Sequence, residues 1–182
     1  EIDILGAPIG RQDQYAASFG GVNSIRFREN GVQVEPIEIS EGLAKKFSEN
    51  FTLVFTGLTR SASKVLSEQS DDESDKNSRM REIRKHADEA ASHIEHGDLD
   101  SLGAILNQTW ISKRGVSSMV TNTQIDDLYE RAISSGAIGA KLLGAGNGGF
   151  LLVCGNRQLR GILKRELGES HGMFPLEIDF SG

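Results

Sequence analysis

The chain has 182 residues, with 26 acidic against 20 basic side chains for a net charge of −6. It has no basic stripe with interleaved aromatics, so a nucleic-acid partner is not expected. That length suffices for one hydrophobic core, or for a domain plus part of another. No run approaches the ~18 to 20 apolar residues of a membrane span and no signal peptide is visible, so the expected setting is cytoplasmic, without a membrane partner.

In chain order, residues 1–6 read like the last turn of a helix and its glycine stop. Gly10, the helix formers from Gln12 to Phe19 and the stop at Gly20-Gly21 predict a short helix with Asp13 in its first turn. There the unpaired N–H groups and the positive end of the helix dipole favour an ionised carboxylate. Asp13 is therefore a candidate base, with simple helix capping as the plainer alternative. Residues 22–27 and 32–39 predict two paired strands joined by Arg28-Glu29-Asn30-Gly31. A short helix over 41–49 and a buried strand over 51–56, ended by Gly57, follow.

Residues 67–78 are polar and acidic and read as a solvated connection. Met80, Ile83, Ala87, Ala90 and Ile94 then recur at helical spacing up to Gly97, and Asp98 caps a further helix carrying Leu99, Leu102, Ile105 and Leu106. Thr123 with Asp126 resembles a capping arrangement for a helix that leads towards a glycine-rich loop. After the loop come a strand at 150–153, a helix at about 156–167 stopped by Gly168, and an alternating strand from Phe174 to Phe180, placed at an edge by Pro175. This order predicts an α+β sandwich, with helices on one face of a mainly antiparallel sheet.

Three places carry candidate chemistry besides Asp13. The loop Gly144-Ala145-Gly146-Asn147-Gly148-Gly149 could bring backbone N–H groups to an oxyanion, or could simply be a turn feeding a buried strand. Its Gly144, Gly146 and Gly149 fit G-x-G-x-x-G, but helical periodicity before it and a β-like run after it reverse the Rossmann order, and no Lys-Ser or Lys-Thr of a Walker loop follows. Thr59, Arg60 and Ser61 stand where a strand end turns into a helix, as anion receptors or as ordinary caps. His93 and His96 have usable metal spacing without a third ligand nearby, so exposed helix histidines and no metal site are expected. Cys154, the only cysteine, lies in an apolar run and is expected to be a small buried hydrophobe.

The segment from Gly10 to Phe27 resembles the surroundings of the catalytic Asp in GHMP-type small-molecule kinases. The wording Gln-Asp-Gln-Tyr-Ala-Ala-Ser-Phe-Gly-Gly is most similar to the D-glycero-D-manno-heptose phosphate kinases. The segment from Lys141 to Val153 resembles the family's third motif, a glycine-rich loop closing against the active site. The resemblance implies that residues 1–47 end an N-terminal domain and 48–182 form a ferredoxin-like C-terminal domain. It also implies that Asp13 draws the proton from a sugar hydroxyl attacking the γ-phosphate of ATP, and that Gln12, Tyr15, Thr59 and Arg60 serve the substrate side.

The expected reaction is phosphorylation of the anomeric hydroxyl of a heptose 7-phosphate, for nucleotide-activated heptose. The alternatives are a sugar sensor derived from such a kinase, a fucose kinase or a diphosphate decarboxylase. The family's upstream Pro-x-x-x-Gly-Leu-Gly-Ser-Ser segment does not occur in these residues. The chain is accordingly expected to be a C-terminal portion, inactive alone, with the main ATP and Mg2+ ligands elsewhere.

Overall fold

The computed structural model describes residues 11–59, 73–168 and 170–181. Helix α1 (Gln12–Phe19) stops at Gly20, which takes φ 62° and returns its N–H to the Ala16 carbonyl at 3.2 Å. Strands β1 (Val22–Arg28) and β2 (Gly31–Ile37) form an antiparallel hairpin with Arg28 opposite Gly31, so Glu29 and Asn30 make the turn. Tyr15 stacks on Phe19 at 6.3 Å and meets the edge of Phe27 at 5.5 Å, which seats α1 on the hairpin. An Arg26–Asp88 ion pair at 2.9 Å ties the hairpin to the rest of the molecule.

Helix α2 (Glu41–Asn50) begins at Ser40, whose hydroxyl accepts from the Leu43 N–H at 3.2 Å, and runs directly into β3 (Phe51–Phe55). Then come α3 (Glu73–His96), α4 (Leu99–Arg114), a 3₁₀ turn (Ser118–Val120), α5 (Thr123–Ser134), β4 (Gly139–Leu142), β5 (Phe150–Cys154), α6 (Leu159–Leu167) and β6 (Met173–Pro175). The four later strands pair antiparallel in the order β4-β5-β3-β6. With β3 inside the sheet and helices in both crossovers, this is the ferredoxin-like arrangement that the resemblance implies. Pro175 sits on the edge strand, where its missing N–H costs no ladder bond.

Strand alternation sends side chains to two cores. Val54, Ala140, Leu142, Leu151 and Val153 face one side and pack with Ile125 and Leu128 of α5 and Leu159 and Leu163 of α6. Phe51, Leu152 and Cys154 face the other side and pack with Phe47 of α2, Ile94 of α3 and Leu99 and Leu102 of α4. Helices therefore cover both faces rather than one, because β5 is apolar on both of its sides. Each fully buried Leu or Val stabilises the fold by about 1.5–3 kcal/mol relative to exposure.

Other expectations need correction too. The connection read over 67–78 turns helical at Glu73, and Arg79 pairs with Asp75 one turn earlier at 2.8 Å; residues 60–72 lie outside the described ones, as do 1–10. A strand, β4, precedes the glycine loop, where the periodicity predicts a helix leading up to it. The Rossmann match still fails, because β5 and not a helix follows. Asn122, not Thr123, caps α5, its Oδ1 accepting from the N–H groups of Gln124 and Ile125. The last strand ends at Pro175, after which Leu176 and Ile178 still pack into the second core.

Candidate functional site

The glycine loop is the turn of the β4–β5 hairpin, and its backbone is fastened on two sides. The Gly149 N–H donates to the Leu58 carbonyl at 2.8 Å, while the Gly149 carbonyl accepts from the N–H of Thr56 at 2.9 Å and its Oγ1 at 2.8 Å. On the other side the Asn147 N–H donates to the Val120 carbonyl at 2.8 Å, and its side-chain oxygen accepts from Asn122 Nδ2 at 2.6 Å. Asn147 is buried with φ 59°, a left-handed conformation that an Asn tolerates. A Cβ on Gly146 would lie 2.7 Å from the Val120 carbonyl oxygen, and one on Gly148 2.9 Å from that of Leu58. Both positions also have positive φ, so close approach and backbone conformation each demand glycine there.

Asp13 stands exposed in the first turn of α1, as the helix pattern predicts. Gln12, beside it, is also exposed, whereas Tyr15 is half-buried against the hairpin aromatics. Thr59 is exposed just beyond Leu58, close in sequence to the contact with the loop, and Arg60 and Ser61 lie outside the described residues.

Lys113, in the last turn of α4, reaches the glycine loop. Its ammonium donates to the Gly144 carbonyl. Burial pushes the Lys113 pKa down to about 8, the Lys141 cation adds to the depression, and the Asp13 charge opposes it. Lys141 lies opposite Leu152 on the second face of the sheet, and burial lowers its pKa as well. Half-buried Lys113 thus contacts the loop, and Lys141, also half-buried, stands on β4 three residues before Gly144. A lysine ending a helix ordinarily reads as a dipole partner, so only tertiary structure reveals this role.

The histidines have local partners. His86 meets Thr109 Oγ1 at 3.2 Å, His93 meets Asp98 at 3.4 Å, and His96 and His171 meet the carbonyls of Ser92 and Phe55 at 2.7 and 2.9 Å. Among the described residues no group of three or more His, Cys, Asp or Glu side chains converges to hold a metal. Cys154 is buried, and burial pushes its thiol up to about 12, the behaviour of a packed hydrophobe. An open cleft of about 520 Å³ lined by Ala16, Ala17, Gly20, Phe47, Ile178 and Asp179 runs along α1 but is lined by neither Asp13 nor the glycine loop.

Residues 89–171 match the family described as GHMP kinases C terminal. The chain is 35% identical over 154 residues to D-glycero-alpha-D-manno-heptose 7-phosphate kinase of Campylobacter jejuni, covering 83% of this chain and 45% of that protein. It is 29% identical to a bifunctional fucokinase/GDP-fucose pyrophosphorylase of Arabidopsis thaliana, over 96% of this chain and 17% of that protein. The crystal structure of a D-glycero-D-manno-heptose 1-phosphate kinase from Bacteroides thetaiotaomicron superposes with a TM-score of 0.72 at 22% identity, covering all of this chain and 50% of that one. The chain therefore spans half or less of the length of these relatives. The fold, the match over 89–171 and the identity to a heptose 7-phosphate kinase agree: residues 89–171 carry a GHMP kinase C-terminal domain.

Proposed function

We propose that this chain serves an ATP-dependent sugar kinase, with the anomeric hydroxyl of a heptose 7-phosphate as acceptor. The observation that carries the reading is the glycine loop, a β4–β5 turn braced on Leu58 and Val120 with no room for a side chain at Gly146 or Gly148, in a chain whose residues 89–171 match the GHMP kinase C-terminal family. The identity to a heptose 7-phosphate kinase supports the substrate class. Residues 1–47 are taken as the end of an N-terminal domain and 48–182 as the C-terminal domain.

In this reading the acceptor hydroxyl oxygen attacks the γ-phosphorus, its proton passes to the Asp13 carboxylate, and the bond to the bridging oxygen breaks to release ADP. The glycine loop shapes the site around the transferring group, and Gln12, Tyr15, Thr59 and Arg60 stand on the acceptor side. Arg60 is assigned to the phosphate that the sugar already carries. In this reading the main magnesium and nucleotide ligands stand outside the described residues, and no step here passes through the metal.

Steady-state kinetics of the native gene product with MgATP and a panel of heptose 7-phosphate, mannose and fucose tests the reading. Turnover should be fastest with the heptose phosphate. Absence of transfer to any sugar would refute the kinase assignment, and preference for fucose would move the substrate class. Arg60→Ala should raise KM for the phosphorylated sugar far more than for the same sugar without its phosphate.

A further inference from the structure

We infer that Asn122 is a positioning residue for the glycine loop: one side chain both caps α5 and latches Asn147, so the loop takes its place from the start of that helix. The inference rests on the kinase reading for its effect on turnover, and on geometry alone for the latch.

The two ends of the Asn122 amide do different work. Its Oδ1 accepts from the N–H groups of Gln124 at 3.1 Å and Ile125 at 3.0 Å, which is all that a helix cap requires. Ser, Thr or Asp would meet that need, since each brings an acceptor oxygen. The Nδ2 donor serves a second purpose, and goes to Asn147 Oδ1 at 2.6 Å. Two residues earlier the Val120 carbonyl accepts the Asn147 N–H at 2.8 Å, so backbone and side chain of Asn147 are both held from the short connection between the 3₁₀ turn and α5. That connection is itself fixed. Thr121 Oγ1 donates to Asp126 Oδ1 at 2.8 Å, and Arg114 at the end of α4 pairs with the same carboxylate oxygen at 3.2 Å.

Asn147 carries the matching signature. Its φ of 59° is one that glycine adopts freely, and four of the six residues 144–149 are glycine, yet a side chain is kept there and is 5% exposed. The bond to Asn122 gives that side chain its use. Its neighbours show what the latch orients. The N–H groups of Gly144, Ala145, Gly146 and Gly148 have no acceptor among the described residues, while those of Asn147 and Gly149 are spent on Val120 and Leu58. Holding positions 147 and 149 therefore fixes the direction of the free donors beside them. A misplacement of about 1 Å at a reacting centre can cost about 10²-fold in rate, so a released loop should be felt in turnover.

The test uses the native gene product and the variants Asn122→Ser, Asn122→Asp, Asn147→Gly and the double variant Asn122→Ser with Asn147→Gly. Amide exchange at Ile125 reads the cap, and exchange at position 147 reads the latch. Asn122→Ser keeps a capping oxygen but is too short to reach the loop, so exchange at 147 should accelerate about tenfold while Ile125 stays within about twofold. With heptose 7-phosphate and MgATP, kcat should fall about tenfold and both KM values should stay within about twofold. Asn147→Gly should lower kcat equally without lowering the melting temperature, because glycine suits that backbone. The double variant should be no slower than either single one, since both remove one shared contact. Asn122→Asp keeps the cap and, once Asn147 turns its amide to donate, the latch, and should recover most of kcat. Additive losses in the double variant, or exchange at Ile125 rising with that at 147 in Asn122→Ser, overturn the latch and leave Asn122 a cap. If Asn122→Ser does not fold, Asn147→Gly decides, and unchanged exchange and kcat there overturn the inference. Faster exchange at 147 in a protein that phosphorylates no sugar keeps the latch and loses the kinase reading. Wild-type kcat in every variant keeps the kinase reading and loses the positioning role.

Discussion

The glycine loop and helix α1 hold the two halves of the candidate site in opposite ways. The loop is locked by hydrogen bonds to Leu58, Thr56, Val120 and Asn122, and two of its residues have no room for a side chain. Helix α1 buries none of its eight residues and rests on the hairpin through Tyr15 and on the C-terminal segment through the Gly21 N–H to Asp179 carbonyl bond at 2.5 Å. The loop is therefore a fixed wall. Asp13 is mounted on an element whose local stability is low, a common property of parts that must adjust around a ligand.

Because that comparison assigns chemistry to α1 and shape to the loop, the largest expected effect falls on Asp13. If the kinase reading holds, Asp13→Asn should lower kcat of the native gene product by about 10²- to 10⁴-fold, the usual contribution of a positioned base. Melting temperature should hardly move, since the side chain is exposed. A near-normal kcat would reduce Asp13 to a helix-end residue and remove the functional half of the contrast.

The loop should respond in the other currency. Gly146→Val sets a branched side chain against the Val120 carbonyl in a backbone region that β-branched residues avoid, and should cost about 2–4 kcal/mol of stability along with activity. From the glycine pattern alone, activity is expected to fall further than stability; the contact with Val120 makes the two fall together. Gly144→Ala is the control. Nothing lies within 4 Å of a Cβ there, so only the φ of 67° is strained, at about 1 kcal/mol. Equal unfolding shifts for the two variants would show that the loop is not braced as described.

What the sequence made legible was local, and what it hid was tertiary. Asp13 and the glycine run are contiguous patterns whose backbone requirements are written in their own residues. Strand β4 is not: Gly139-Ala140-Lys141-Leu142 lacks β-branched residues. It is a strand because β5 pairs with it and because Gly139 lets α4 approach so closely that a Cβ would overlap the Gly103 carbonyl. The start of α3 escaped for a similar reason. Its acidic, polar composition suits a solvated segment, but Ser112 of α4 donates to Glu82 at 2.9 Å and His86 meets Thr109, docking the helix on its neighbour. Lys113 was invisible as a loop contact, since nothing in its spacing says that the end of α4 meets the turn after β4.

The smallest expected effect tests how α1 is held. Tyr15 has been assigned to the substrate side, yet its ring lies on Phe19 and Phe27, two exposed aromatics that give α1 much of its footing. If the ring is the anchor, Tyr15→Phe keeps the contact and should leave kcat and KM within about twofold, while Tyr15→Ala removes an aromatic pair worth about 0.5–1.5 kcal/mol. That loss belongs to a local element, so the global melting transition should shift little while amide exchange in α1 accelerates. Activity should fall by about tenfold, because a base displaced by a fraction of an ångström loses alignment with its proton. A Tyr15→Phe variant with raised KM and unchanged α1 exchange would instead place the hydroxyl on the substrate. The contrast between a fixed loop and a loosely held base would then need another footing for α1.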